Sequence, residues 1–147
     1  MLTVGLLATA CDVTVPSDPS GTLQRIDSTG ELRVGATPAG AALVIDGSDV
    51  SGPLADLVEG FAQAHDARVA WVIESEETLV DHLEEGTLDL AVGGMTEATP
   101  WADRVSVTRG FTGIDGAGGS PLVVLLPLGE NALQSALEHY FDDEGAS

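Results

Sequence analysis

Lysine is absent from this sequence: the only basic residues are five arginines, which face 24 acidic residues and leave a formal net charge of −19. Nucleic acids and anionic membrane surfaces would both repel such a chain, so neither is an expected partner. The acids are scattered and not grouped at the spacing of metal ligands, so we predict no metal site and no cofactor. A solubilising acidic surface is the simpler interpretation, and a surface that attracts cations is the alternative.

Cysteine is nearly absent, because Cys11 stands alone and excludes an intrachain disulfide. It follows a short run, Leu-Leu-Ala-Thr-Ala, that is typical of a lipoprotein lipobox but too short to span a bilayer. We therefore expect residues 1–11 to be a lipoprotein signal and Cys11 to carry a lipid. The alternative is an unmodified cysteine in a disordered tail, since a secretory signal usually begins with basic residues and none precedes Arg25.

Aromatic residues make up only 4% of the chain, which predicts a core built mostly from leucine, valine and alanine, with Trp71 also inside. The length of 147 residues suits one domain with a hydrophobic core. A stretch at 12–22 that is rich in proline, serine and aspartate predicts a tether. The folded lobe is expected at 23–141 and a frayed acidic tail at 142–147.

Hydrophobic periodicity predicts alternating strands and helices from residue 31 onward. A helix begins at Gly52-Pro53, and a second is capped by Ser75 and ended by Gly86. This order favours parallel strands with right-handed crossovers. We predict an α/β fold: a single three-layer lobe with a mostly parallel sheet of about five strands and helices on both faces. The predicted strands are Glu31–Ala36, Arg68–Ile73, Leu88–Val92, Val105–Thr108 and Leu122–Leu126. A strand or hairpin arm is expected near 42–45, a short helix at 24–30 and a final helix at 129–141.

The most informative segment is 86–110. Its buried strand Leu88–Val92 runs into a loop, Gly93-Gly94-Met95-Thr96, at the carboxyl end of that strand. Ligands of open α/β sheets bind at this edge. The segment therefore predicts a binding site on the loop.

This segment resembles the first lobe of the solute-binding proteins of amino-acid ABC importers, which carry a similar "G-x-x-D-h-h-h-G-G-M-T" sequence (h, apolar). The resemblance extends over about 23–141 and includes Gly-Glu-Leu-Arg-Val-Gly as the first strand. It implies one lobe of the periplasmic-binding-protein type 2 fold. It further implies a secreted periplasmic or cell-surface protein that binds a small anionic or amino-acid-like solute within an ABC-type transport system.

Two departures from the family pattern change that expectation. Without gaps, Trp101 stands where the family has the arginine that holds the ligand's α-carboxylate, and the nearest basic residue is Arg104. Only a glycine-rich stretch at 112–120 lies where the family inserts its second lobe. The sequence thus predicts one lobe of a two-lobed binding site. Its expected partners are a small solute, a membrane transporter subunit or a second copy bound through the open lobe face.

The candidate ligand-binding residues supply backbone N–H groups, hydroxyls, cations and an aromatic ring near this edge. Alternatively, the glycines serve only a tight turn, the arginines neutralise acids such as Asp103 or Glu97, and the tryptophan is a packed lid. The candidates are Thr37, Gly93, Gly94, Thr96, Trp101, Arg104 and Arg109.

No catalytic set is recognisable: the sequence has no G-x-S-x-G, no P-loop and no Ser-His-Asp order, and we expect no enzyme. Two functions remain open at this point. One is an extracytoplasmic solute-binding lipoprotein. The other is an accessory or regulatory module that contacts a membrane transporter and has no small-molecule ligand.

Overall fold

The computed structural model describes residues 18–147, so the predicted signal, Cys11 and most of the predicted tether lie outside the described residues. Four helices and seven strands follow one another along this part of the chain. They are α1 (Thr22–Thr29), β1 (Glu31–Ala36), β2 (Val44–Asp46), β3 (Asp49–Ser51), α2 (Pro53–Ala64), β4 (Arg68–Ile73), α3 (Glu76–Glu85), β5 (Leu90–Val92), β6 (Ser106–Val107), β7 (Leu125–Leu126) and α4 (Asn131–Asp143).

The main sheet has five strands in the order β4-β1-β5-β7-β6. Strand β1 is parallel to both β4 and β5, whereas β7 is antiparallel to β5 and to β6. The sheet is therefore mixed, and the prediction of a mostly parallel sheet is corrected. Parallel neighbours need a crossover connection, which α2 and α3 provide; the segment between β6 and β7 contains no helix, so the chain returns antiparallel.

Helices cover both faces of the sheet and give the lobe three layers. A first cluster of buried side chains joins one face to α1, α2 and α4 through Ile26, Phe61 and Phe141. A second cluster joins the other face to α3 through Leu79 and Leu83. None of the helices within residues 18–147 is long and apolar enough to cross a membrane.

Local sequence signals set the helix ends. Pro53 occupies the first turn of α2, where its missing N–H is not needed. The Ser75 hydroxyl accepts the N–H of Thr78 at 3.3 Å and so caps α3. Gly86 ends α3 in the left-handed region at φ 76°, a conformation that glycine adopts without a Cβ clash. These ends agree with the sequence prediction.

Three other regions differ from expectation. The chain near residue 45 forms a complete hairpin of β2 and β3. Trp71 packs against the first cluster but is only half-buried, because β4 lies at the sheet edge. The C-terminal residues do not fray: α4 reaches Asp143, and Ala146 is 2% exposed while its carbonyl accepts the N–H of Gly113 at 3.0 Å.

Tyr140, the only tyrosine, offers a direct test of packing on α4. Its ring meets Phe61 edge to face with centroids 5.9 Å apart, and burial, assisted by Glu144, raises its pKa above the ordinary value of 10.0. The contribution of this group to stability is therefore present below pH 10.0 and lost as the pH rises through the folded pKa.

We expect the ultraviolet absorbance of the phenolate to show a higher titration midpoint in the folded protein than in denaturant. Because there is one tyrosine, the signal needs no assignment. Equal midpoints in the two states would contradict the packing described.

Candidate functional site

The loops that follow β1 and β5 touch at the carboxyl end of the sheet. The N–H of Thr37 donates to the Val92 carbonyl at 3.0 Å. A Cβ on Gly93 would lie 2.0 Å from Thr37 Oγ1 and 3.0 Å from the Thr37 carbonyl oxygen, so this approach requires glycine at 93. A Cβ on the exposed Gly94 would meet only the Pro38 carbonyl, at 3.6 Å. Three of the predicted site residues are thus brought together.

The hydroxyl of Thr37 has no strong partner among the described residues. Its one polar contact is the Met95 sulfur at 3.8 Å, and thioether sulfur is a weak acceptor. Thr96 is more committed: its hydroxyl accepts the N–H of Ala98 at 3.4 Å, and it bridges to Leu122. Thr37 is therefore the hydroxyl of this edge that is best placed to meet a ligand.

Trp101 is half-buried and hydrogen-bonded to α3. Its indole Nε1 donates to Glu76 Oε1 at 2.5 Å, and its ring packs against the second cluster. The contact ties the 97–104 segment to the first turn of α3. In this arrangement Trp101 matches the packed alternative, with only part of its ring open to a ligand.

Arg104 faces α3. Its guanidinium pairs with Asp81 at 2.7 Å and with Glu84, and its Cζ lies 5.6 Å from the centroid of the Trp101 ring. The hydrogen bond from Arg104 lowers the pKa of Glu84, and both acids raise the pKa of Arg104. The guanidinium of Arg104 is therefore already paired with two acids of α3.

Arg109 follows β6 and pairs with α4, which packs on the sheet face opposite to α3. It pairs with Asp142 at the end of α4, and its Cζ lies 4.6 Å from the centroid of Phe111. The acids named from the sequence are not the partners, since Glu97 instead accepts the N–H of Gly110 at 2.9 Å. Among residues 18–147, neither arginine forms a hydrogen bond or ion pair with Thr37 or Gly93.

The charge near the carboxyl edge is negative. Glu74 follows β4 directly, Glu76 opens α3 and Glu97 follows the 93–96 loop. Within residues 18–147, no group of three or more histidine, cysteine, aspartate or glutamate side chains could hold a metal ion. The edge is thus suited electrostatically to a cationic group and not to an isolated anion.

Sequence reasoning missed a buried ionic cluster at the opposite end of β5. Asp89 is fully buried; it accepts Arg25 Nη2 at 2.5 Å, Arg33 Nη2 at 2.7 Å and the Arg33 N–H at 2.8 Å. The two arginines come from α1 and β1, so one carboxylate joins three elements. The signal available in the sequence was an aspartate between two apolar residues, Leu88 and Leu90.

A cavity of about 560 Å³ opens at this opposite end of the sheet. Its lining includes Arg25, Arg33 and Arg104, all three of which already bond to acids of the chain. It is remote from Thr37 and Gly93, and it contains none of the predicted site residues except Arg104. We regard the carboxyl-edge loops as the candidate site.

The fold defines a class: the chain has a single-lobe solute-binding fold, as the resemblance predicted. The arginine-bound form of domain 1 from TmArgBP is similar with a TM-score of 0.68 and 20% identity, covering 81% of this chain and 97% of that one. An ancestral arginine-binding protein bound to arginine gives a TM-score of 0.62 at 12% identity, covering 78% and 92%. No family model and no curated protein sequence matches the chain.

The length relation to larger relatives agrees with one lobe. An ancestral cationic amino-acid solute-binding protein shares 26% identity with a TM-score of 0.52 over 60% of this chain, but only 40% of its own length is covered. At these identities, the likeness concerns the fold.

Proposed function

We propose that this chain binds a small amino-acid-like solute that carries a positive charge, at the loops after β1 and β5. The observation that carries the proposal is the contact of Thr37 with Gly93, which sets a hydroxyl without a strong partner beside the exposed backbone of Gly94. A few convergent polar groups at such an edge are what fixes the orientation of a small ligand.

Charge favours a cationic solute over an anionic one. Arg104 and Arg109 are both paired with acids, so neither guanidinium is free to form a bidentate pair with a ligand carboxylate. Glu74 and Glu97 remain exposed near the same edge. The arginine reported in the similar structures supports the same chemical class.

We expect L-arginine and L-lysine to raise the melting temperature, and L-glutamate to leave it unchanged. A solute at ten times its Kd adds about 1.4 kcal/mol by linkage, which corresponds to roughly 3–5 °C for a domain of this size. Calorimetry gives the Kd directly. A panel of amino acids that produces no shift at any millimolar concentration would rule the proposal out.

A matched pair of variants locates the site. Thr37→Val removes the hydroxyl at the carboxyl edge with little change of shape, and we expect it to weaken binding by about three- to tenfold. Thr87→Val makes the same change at the opposite end of β5, where the hydroxyl bonds to His82, and should leave binding unchanged. Equal effects of the two substitutions would place the ligand elsewhere.

The role in transport and the location belong to the same proposal. An open lobe buries less of a ligand than a closed cleft does, so tight binding would need a second protein, such as a transporter subunit, over the edge. We propose further that the chain acts outside the cytoplasm, held to a membrane by a lipid on Cys11. The mass of the mature chain would distinguish lipidated from unmodified Cys11.

The second candidate is an accessory module for a membrane transporter that takes no small-molecule ligand. The observation in its favour is that Trp101 stands where the amino-acid-binding proteins that this chain resembles have their carboxylate-binding arginine. The indole N–H of Trp101 donates a hydrogen bond to Glu76. The amino-acid panel separates the candidates, because this one requires that no solute change the melting temperature.

A further inference from the structure

We propose that two copies of this chain associate through the edge strand β4, antiparallel and centred on Trp71. This surface shares only Glu74 with the carboxyl edge described above, and the inference does not depend on the proposed function. Four features of β4 support it: its open hydrogen-bonding edge, the absence of proline and of acids within it, the phase of its backbone groups, and the two charges without an ion pair among the described residues, Arg68 and Glu74, that flank its apolar run.

The outer edge of β4 is open and unprotected. The strand is six residues long, pairs with β1 without a bulge, and carries no proline and no acid. The five residues Val69–Ile73 are apolar and half-buried. Natural sheets blunt their edges with short strands, prolines, bulges or charges. The opposite edge follows that rule, since β6 has only two residues.

The phase of the backbone suits a two-fold pairing. The N–H of Arg68 donates to the Gly30 carbonyl at 3.0 Å, so Arg68 and every second residue after it point toward β1. The peptide groups of Val69, Trp71 and Ile73 therefore point outward. If Trp71 lies opposite Trp71 of the second copy, Val69 lies opposite Ile73, and each pair exchanges two hydrogen bonds.

The same register pairs the two charges that flank the apolar run. Arg68 and Glu74 are equidistant from Trp71, so each lies opposite the other residue of the second copy. Both positions fall at non-hydrogen-bonded pairs, where side chains are closest. Among the five arginines, all of which lie in the described part of the chain, Arg68 alone has no ion pair. Glu74 likewise has no side-chain partner there.

Charge reversal tests the register as well as the surface. We expect the wild-type mass in sedimentation equilibrium to approach twice 15.0 kDa as the concentration rises. Arg68→Glu alone and Glu74→Arg alone each place like charges opposite one another, and each should weaken self-association by about tenfold. Mixing the two variants restores both attractive pairs, so the mixture should dimerise as the wild type does.

Two controls guard against nonspecific effects of charge. Arg109→Glu reverses a charge away from β4, and Gly94→Ala alters the lobe edge; neither should change the association. The melting temperatures of the dilute single variants confirm folding. A dissociation constant of about 1 mM corresponds to a free energy of association of only about 4 kcal/mol. A wild-type protein that stays monomeric up to about 1 mM would therefore overturn the proposal. Single variants that fail to pair when mixed would overturn it as well.

Discussion

Arg33→Leu is expected to lower the free energy of unfolding by about 3 kcal/mol, the low end of what removing one partner of a buried ion pair costs. The reason is that Asp89 is fully buried and would keep only Arg25 as a charged partner, together with the backbone N–H of residue 33. The substitution removes both contacts that the Arg33 side chain makes with the carboxylate. Urea denaturation measured by circular dichroism gives the value.

The double variant Arg33→Leu/Asp89→Leu distinguishes the stability cost of an unpaired buried charge from that of lost packing. Without the carboxylate there is no unpaired buried charge, and an apolar replacement of an ion pair is often close to neutral. We expect the double variant to be more stable than Arg33→Leu. Arg109→Leu, which removes a more exposed pair with Asp142, should cost less than about 1 kcal/mol. A double variant as unstable as the sum of the single changes would refute this account.

Gly93→Ala is expected to lower the free energy of unfolding by about 1–3 kcal/mol, as overpacking does. The new Cβ would collide with Thr37 Oγ1 and press on the Thr37 carbonyl and the Met95 sulfur, which lie 3.0 and 3.1 Å from its position. The Thr37 hydroxyl can rotate, but the carbonyl belongs to the backbone. The loops after β1 and β5 must therefore separate, and the response to L-arginine should be lost as well.

Gly94→Ala is the matched control, one residue away. Its Cβ would be in ordinary contact with the Pro38 carbonyl at 3.6 Å. Since neither glycine has a positive φ, the two variants differ only in the space available to the new Cβ. We expect a change of less than about 1 kcal/mol and a retained response. Equal destabilisation by the two substitutions would show that the contact with Thr37 does not hold the loops together.

Local signals allowed much of the fold to be predicted from the sequence. The bounds of β1 and β4, the cap at Ser75 and the stop at Gly86 each depend on residues within one or two turns. The direction of β7 could not be predicted, because an all-apolar run such as Leu122–Leu126 suits a buried strand in either orientation. Its direction is set by a connection without a helix, which periodicity does not reveal.

The positions of the candidate site residues were predicted in part for the same reason. Thr37, Gly93 and Gly94 could be placed together because parallel strands bring their carboxyl ends to one edge. The partners of Arg104 could not, since Asp81 and Glu84 lie on α3, 20 or more residues earlier in the chain. Asp89 and Arg25 are 64 residues apart, and no local pattern connects them.

The two tryptophans lie on two different surfaces, and this makes the intrinsic fluorescence of the protein interpretable. Trp101 lies in the 93–104 loop and donates to a carboxylate, whereas Trp71 lies half-buried in β4. With no third tryptophan in the chain, Trp71→Phe leaves an emission that reports only on the loop, and Trp101→Phe leaves one that reports only on the edge strand. Occupancy of either surface can then be followed optically without an added label.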